Sequence, residues 1–289
     1  MDWLGLLAQS PPLVQGAALL LGLLVGSFLN VVALRLPVMM ERAWQRECAD
    51  LLGQAAPAEE PLSLTQPPSR CPHCGHAIRP WENVPVLSWL LLRGRCSACA
   101  QPIAVRYPVV EAATGALSLA VAWQLGWGWA LAGALPLTWA LVALTVIDFD
   151  HQLLPDQITL PFLWLGLLLN AFGVYTDPVS AILGAVAGYL SLWTVYQAFR
   201  RLTGKEGMGY GDFKLLALFG AWLGWQMLPQ VILLSALAGS IVGVGLILLR
   251  RHGRDVPIPF GPYLAAAGWV ALLWGAQINA AYLQFAGIG

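Results

Sequence analysis

Long apolar stretches separated by short polar ones dominate the pattern of the chain. The hydrocarbon core of a bilayer is about 30 Å thick and needs roughly 20 apolar helical residues to cross it. By that measure eight segments predict membrane-spanning helices: residues 13–34, 108–125, 128–147, 157–175, 178–199, 213–227, 229–249 and 260–280. The pattern therefore predicts an all-α polytopic membrane protein with about eight transmembrane helices.

The composition agrees with this prediction. The chain has 289 residues, of which 58% are hydrophobic and only 10% are charged, whereas a soluble domain carries about 25% charged residues. This excludes an ordinary soluble domain. We expect the lipid bilayer as the main surrounding, and we expect no nucleic-acid partner.

The positions of the basic residues predict the topology. All fifteen Lys and Arg residues lie within residues 35–106, 200–214 and 250–254. Because cytoplasmic loops are enriched in basic residues, eight spans with an outside N-terminus put every one of them on the cytoplasmic side. Adding or removing one early span would scatter them over both faces. The same count puts Asp148 and Asp212 at the cytoplasmic face.

Polarity divides the chain into three parts. Residues 1–36 hold the first span, residues 37–106 form the only sizeable polar region, and residues 107–289 hold the other seven spans. We therefore expect a small cytoplasmic loop domain between the first span and a seven-span domain.

The polar region contains two CxxC pairs, Cys71–Cys74 and Cys96–Cys99, with 21 residues between them. Four thiolates from two such turns can form a closed tetrahedral zinc site, and the gap is one residue beyond the usual 15–20. Gly75 suits a tight turn after the first pair. We predict a structural zinc ion on the four cysteines.

Disulfides are the main alternative for these cysteines, but cytoplasmic thiols stay reduced. His73 and His76 lie close by in sequence, although four cysteines already complete the zinc coordination. Cys48 has no partner at a suitable spacing and is interpreted as a bystander.

Two acidic residues adjoin apolar runs, where carboxylates are costly and uncommon. One is Asp148, at the end of the third run; the other is Asp212, in Gly209-Tyr210-Gly211-Asp212. Aspartic proteases use two carboxylates that share one proton, one activating water while the other polarises the scissile carbonyl. We interpret the two aspartates as such a hydrolytic pair.

The aspartates also have plainer interpretations. Asp148 can be a polar helix end, and Asp212 and Asp156 each precede an apolar run as an N-cap would. Asp150 competes with Asp148, and spacing alone does not choose between them. The sequence has no HExxH, GxSxG or P-loop motif, so other common hydrolytic chemistries have no support.

Motifs that run nearly the length of the chain carry a family resemblance. Besides the CxxC pairs and the aspartates already named, they are Gly26-Ser27-Phe28-Leu29-Asn30-Val31-Val32, Arg35-Leu36-Pro37, Arg106-Tyr107-Pro108 with Glu111, Leu154-Pro155-Asp156, Phe213-Lys214 and Pro259-Phe260-Gly261-Pro262. In this order they resemble the type IV prepilin peptidases, membrane aspartyl proteases of the GxGD class that also have an N-methyltransferase activity. The pattern is most similar to the enzymes of Gram-negative pilus and type II secretion systems.

The resemblance implies that Asp148 and Asp212 are the catalytic pair, which decides between Asp148 and Asp150. It implies a multi-pass protein of the inner membrane with its active site facing the cytoplasm. The substrates would be prepilins and pseudopilins, cleaved after a glycine at the cytoplasmic boundary. The new N-terminal residue, usually Phe, would then be methylated from S-adenosylmethionine. Residues 37–106 resemble the segment that bifunctional members carry, but the sequence does not locate the methyl-donor pocket.

Three further polar residues have open roles. Glu111 is a candidate contact for the leader or the amine of the substrate, or else a carboxylate favoured at a helix start. For Asn30 we expect an interhelical hydrogen bond. Lys214 could tune the ionisation of Asp212 or snorkel to the interface, and we expect the second.

Two other functional classes compete with the enzyme. A transporter could relay protons through intramembrane aspartates, but it should show inverted repeats, and no repeat is visible in the sequence. A structural protein of a pilus or secretion machine could use zinc for docking. Only the enzyme would produce a cleaved and methylated product.

Overall fold

The computed structural model describes residues 10–55, 61–249 and 259–287. These ranges contain nine α-helices: α1 (Pro11–Leu51), α2 (Leu87–Leu91), α3 (Arg106–Leu125), α4 (Trp129–His151), α5 (Asp156–Ala171), α6 (Pro178–Thr203), α7 (Tyr210–Leu223), α8 (Leu228–Leu248) and α9 (Gly261–Phe285). Two 3-10 turns, Pro80–Asn83 and Trp225–Met227, complete the helical structure. Within the same ranges, β structure is limited to two isolated bridges. The all-α prediction is confirmed, and the basic segment 250–254 lies outside the described residues.

Six helices in the described part of the chain are long and apolar enough to cross a membrane. They are α1, α3, α4, α6, α8 and α9, so the protein is a multi-pass membrane protein. The other two predicted spans coincide with α5 and α7, which have only 16 and 14 residues. The count of eight spans therefore stays a prediction.

The first helix is much longer than its predicted span. The apolar run predicts a span that ends at residue 34, but α1 continues for 41 residues to Leu51 with Pro37 inside it. At 1.5 Å per residue the helix is about 60 Å long, roughly twice the thickness of the hydrocarbon core. Its polar C-terminal part therefore extends well beyond a single membrane crossing.

The chain divides into two compact units, Met1–Trp127 and Gly128–Gly289. In the first unit, α1 packs along α3 through small residues. A Cβ atom on Gly26 would lie 2.8 Å from the Cα of Glu111, and one on Gly22 would clash with Ser118. These glycines let the two helix backbones approach closely, as small residues do in membrane helix pairs.

In the second unit, α7 is buried on all sides from Leu215 to Trp222. Leu215, Leu216, Leu218 and Trp222 have no exposed surface. A helix that is apolar all round belongs in an interior, and α7 is enclosed by α5, α6 and α9. Because α7 faces protein, it does not need the full length of a lipid-facing span.

A buried amide closes the C-terminal end of α7. The last carbonyl groups of a helix have no partner within the helix. Asn170 on α5 donates from Nδ2 to the carbonyl oxygens of Ala221 (2.8 Å) and Trp222 (2.9 Å). Its Oδ1 accepts hydrogen bonds from the backbone N–H groups of Tyr175 and Thr176. One side chain therefore satisfies the end of α7 and fixes the loop after α5.

Glycines bring α6 and α7 into direct backbone contact. A Cβ atom on Gly184 would clash with the carbonyl group of Gly220, and a Cβ atom on Gly220 would clash with that of Gly184. A Cβ atom on Gly188 would lie 2.6 Å from the carbonyl oxygen of Leu216. These neighbours are backbone atoms that cannot rotate away, so the crossing needs glycine on both helices.

We expect Gly220→Ala to lower the free energy of unfolding by about 1–3 kcal/mol, because overpacking a tight contact has a cost of that size. Gly245→Ala is the matched control, since no atom lies within 4 Å of a Cβ atom there. Helix propensity alone should make that control neutral or more stable by up to about 1 kcal/mol. Thermal unfolding in detergent micelles measures both, and equal stabilisation by the two variants would contradict the close crossing.

Candidate functional site

The structure brings the two aspartates together in the second unit. Asp148 lies in the last turn of α4 and Asp212 in the first turn of α7. They are 5% and 7% exposed, and their carboxyl groups are near enough to interact electrostatically. Because α7 begins at Tyr210 with Gly209 as its N-cap, Asp212 is a residue of the first turn and not the cap.

Glycines surround this carboxyl pair. The backbone N–H of Gly261, at the start of α9, faces the Asp148 carboxyl group, and a Cβ atom at residue 261 would crowd Asp148 Oδ2. Leu154 packs against Gly261 and also against Gly211. Among the described residues, the buried Oδ2 of Asp148 has no hydrogen-bond partner. The site therefore holds a carboxylate oxygen ready to accept a hydrogen bond.

The neighbouring acids lie differently. Asp150 is exposed, although it is only two residues from the buried Asp148. The N-cap interpretation of Asp156 is wrong: Pro155 is the N-cap of α5, and Asp156 is the first helical residue. The carboxylate of Asp156 instead forms a salt bridge with a residue on α7.

That partner is Lys214, two residues after Asp212. Its Nζ donates to both carboxylate oxygens of Asp156, at 2.8 and 2.7 Å. The interpretation of Lys214 as a snorkelling side chain therefore misses a salt bridge between the N-terminal turns of α5 and α7. The side chains are 28% and 50% exposed, so the pair contributes little stability. It links the start of α5 to the start of the helix that carries Asp212.

In the first unit, the structure gathers the four predicted cysteines. The sulfur atoms of Cys71, Cys74, Cys96 and Cys99 all lie within 4.8 Å of one another. The Cys71 and Cys99 sulfur atoms are 3.8 Å apart, and none of the four forms a disulfide. Each CxxC pair is followed by a residue with a left-handed backbone conformation, Gly75 (φ 71°) after the first and Ala100 (φ 58°) after the second. The tight turn predicted at Gly75 is confirmed, and the cluster could hold a metal ion.

The thiols of this cluster have strongly perturbed acidities. Backbone N–H groups of Cys74 and His73 lower the pKa of Cys71 to about 7. The N–H group of Gln101 also favours the Cys99 thiolate, but burial and the three neighbouring thiols raise its pKa to about 12. Four sulfur atoms this close cannot all ionise on their own, whereas a bound cation would deprotonate a coordinating thiol.

A polar network ties the two CxxC turns together. Glu82 accepts hydrogen bonds from the hydroxyl of Ser97, from the backbone N–H of Arg79 (2.8 Å) and from His76 Nε2 (3.1 Å). The bond from Ser97, followed by that from Arg79, lowers the pKa of Glu82 to about 2. His76 therefore supports the cluster through Glu82, while Cys48 lies outside the cluster.

Among the described residues, Glu111 is the third buried acid, 8% exposed on α3. Its Oε2 accepts a hydrogen bond of 2.7 Å from the backbone N–H of Val86. Asn30 lies nearby on α1 and donates to the carbonyl oxygen of Tyr107 at 3.1 Å, which confirms the predicted interhelical bond. No sequence pattern indicates that Val86 is the partner of Glu111, because the donor is a backbone N–H group in a loop.

The fold and these sites together define a class: a multi-pass helical membrane protein with a buried pair of acids and a four-cysteine cluster. Residues 20–125 match the bacterial peptidase A24 N-terminal domain, and residues 135–244 match the type IV leader peptidase family. The chain belongs to the type IV leader peptidase family.

Curated relatives match over almost the whole chain. A protein of Stutzerimonas stutzeri is 57% identical over 97% of both chains, and one of Pseudomonas aeruginosa is 57% identical over 99% of both. A protein of Aeromonas hydrophila is 58% identical over 94% of this chain and 95% of its own. All three are named prepilin leader peptidase/N-methyltransferase. No solved structure matches the chain.

We expect the purified protein to hold about one metal ion per chain, because four thiolates complete a tetrahedral site. Cys71→Ser should remove the ion, whereas Cys48→Ser, outside the cluster, should retain it. Elemental analysis by mass spectrometry measures the content and identity of the metal. A metal-free wild-type protein prepared without chelator would contradict the prediction.

Proposed function

We propose that this protein is a bifunctional enzyme of the inner membrane. It cleaves the leader peptides of type IV prepilins and type II secretion pseudopilins after a glycine, and it then N-methylates the new N-terminal residue, usually Phe. The observation that carries the proposal is the buried pair Asp148 and Asp212, brought together from two helix ends. The names of the relatives supply the substrate class and the second activity.

In the proposed cleavage, the two carboxyl groups share one proton. The ionised group takes a proton from water, and the water oxygen attacks the scissile carbonyl, which the protonated group polarises. The unpartnered Oδ2 of Asp148 makes that residue the better candidate for holding the water. The proton then passes to the leaving amine, so the pair returns to its starting state.

The proposed orientation puts the carboxyl pair at the cytoplasmic face. It rests on the basic residues, all of which fall on one side with eight spans. A positively charged leader would meet this face before its apolar helix enters the bilayer.

We propose zinc as the ion of the cysteine cluster, since four thiolates suit its tetrahedral preference. S-adenosylmethionine is the proposed methyl donor. When bound, it supplies a methyl group that the free N-terminal amine takes with loss of one proton, while the electron pair of the broken C–S bond stays on sulfur. Glu111 is proposed as a contact in this second reaction.

We expect Asp148→Asn and Asp212→Asn each to lower prepilin cleavage at least about 100-fold, because acid–base catalysis is worth roughly 10²–10⁴-fold. Asp150→Asn is the matched control and should cleave normally, since its side chain is exposed. Mass spectrometry of a prepilin incubated with purified enzyme and S-adenosylmethionine reads both cleavage and methylation. Full cleavage by either of the first two variants would remove the aspartyl mechanism, whereas absence of cleavage by the wild type would favour a transporter or scaffold.

Metal removal should separate the two activities. The cysteine cluster belongs to the first unit, whereas Asp148 and Asp212 belong to the second. We therefore expect a chelator to abolish methylation at a dose that leaves cleavage intact. The same mass-spectrometric assay measures both, with excess zinc as the reversal control. Loss of cleavage with methylation spared would reverse the assignment of the two units.

A further inference from the structure

The first unit contains a cavity of about 370 Å³. Its wall is formed by the inner face of α1, the start of α3, and the segment that carries the CxxC turns. Small-molecule sites commonly have volumes of about 300–1,000 Å³. We propose that this cavity binds S-adenosylmethionine, with Glu111 as the counter-charge to its cationic part; the proposal rests on the methyltransferase activity proposed above.

The wall contains the acids Glu82 and Glu111 and the cation Arg70, and the buried acid among them supports a cationic ligand. Glu111 lines the cavity and is largely buried, although a carboxylate near hydrocarbon is costly. In the described part of the chain, its hydrogen bonding is limited to the Val86 N–H. A single neutral donor compensates a buried carboxylate only in part. S-adenosylmethionine carries a sulfonium and an ammonium group, and either would compensate Glu111 as a charged partner.

The backbone next to Glu111 is strained. Val86 has φ 60°, and a positive φ is an outlier for a β-branched residue. Such conformations concentrate at ligand clamps and other functional sites. Here the unusual conformation places the Val86 N–H on Glu111 Oε2. The strain therefore fixes the direction of the carboxylate at the edge of the cavity.

The rest of the wall suits the other parts of the ligand. Trp89 lines the cavity, and its ring is held by a hydrogen bond from Nε1 to the carbonyl oxygen of Ile103 (3.2 Å). A fixed aromatic face of this kind can stack on adenine. The Nδ2 group of Asn30 donates to the carbonyl oxygens of Gly26 and Tyr107. Its Oδ1 can therefore accept a hydrogen bond from a hydroxyl or amine of the ligand.

The cysteine cluster forms part of the same wall, since Cys71 and Cys96 both line the cavity. Metal binding and ligand binding would therefore share a structural element. This gives a physical reason for methylation to fail first on chelation: the ion holds one side of the donor cavity, while the carboxyl pair belongs to the other unit.

The test uses the full-length protein in detergent micelles, without prepilin. Isothermal titration with S-adenosylmethionine and with S-adenosylhomocysteine gives dissociation constants that do not depend on turnover. Glu111→Gln should weaken binding of S-adenosylmethionine at least about 10-fold, because hydrogen bonds to charged groups contribute roughly 1.5–3 kcal/mol. Glu47→Gln is the matched control, since this residue is exposed on α1 and does not line the cavity.

A second pair of variants tests the volume. Ser88 on α2 lines the cavity, whereas Leu90 on the same helix is exposed and does not. Ser88→Trp should abolish binding of both compounds, and Leu90→Trp should not change it. The two controls, Glu47→Gln and Leu90→Trp, should cleave prepilin and hold metal like the wild type. Thermal unfolding in the same micelles shows whether Glu111→Gln and Ser88→Trp remain folded.

The outcomes are distinguishable. If the wild type binds and methylates but Glu111→Gln and Ser88→Trp bind like the wild type, the cavity is not the donor site. If these variants keep donor affinity but raise the KM for prepilin in methylation, the cavity holds the peptide, and the proposal is overturned. If the wild type neither binds the donor nor methylates, the proposed second activity itself fails.

Discussion

The burial of two acidic side chains among apolar helices is the constraint on which the second unit depends. Carboxyl groups are costly away from water, so Asp148 and Asp212 need a close-fitting environment with a few polar groups and no lipid. Glycine makes this fit possible, because Gly261 brings the backbone of α9 against the Asp148 carboxyl group. A side chain at that position would displace the Asp148 carboxyl group or the side chain of Leu154.

The position of Asp212 follows from the packing of α7. This helix crosses α6 at Gly220, eight residues after Asp212, which corresponds to about 12 Å along the axis. The salt bridge from Lys214 to Asp156 links its N-terminal part to α5, and Asn170 fixes its end. Because a misplacement of about 1 Å can cost 10²-fold in rate, contacts far from the carboxyl groups matter to any chemistry at the pair.

The sequence predicts the positions of the long apolar helices, because the bilayer sets the length of most apolar runs. It misses the extension of α1 beyond residue 34. It does not choose between Asp148 and Asp150 by pattern, because α4 is apolar on nearly every side and has no polar face to reveal its orientation; the family resemblance made that choice. The sequence also does not predict the hydrogen bond from the backbone N–H of Val86 to Glu111. This bond depends on a strained loop backbone, which no local sequence pattern encodes.

The first unit is stabilised differently from the second. Between residues 61 and 105 almost every side chain is at least partly exposed, so this segment has no apolar core, and a metal ion can replace one. A cavity walled by such a segment suits a small molecule that must exchange after each turnover. A buried carboxyl pair instead needs the rigidity of a tightly packed helical bundle. The metal-supported segment thus suits the exchangeable small molecule, and the helical bundle suits the carboxyl pair. Because the two sites belong to different units, one chain can support both activities.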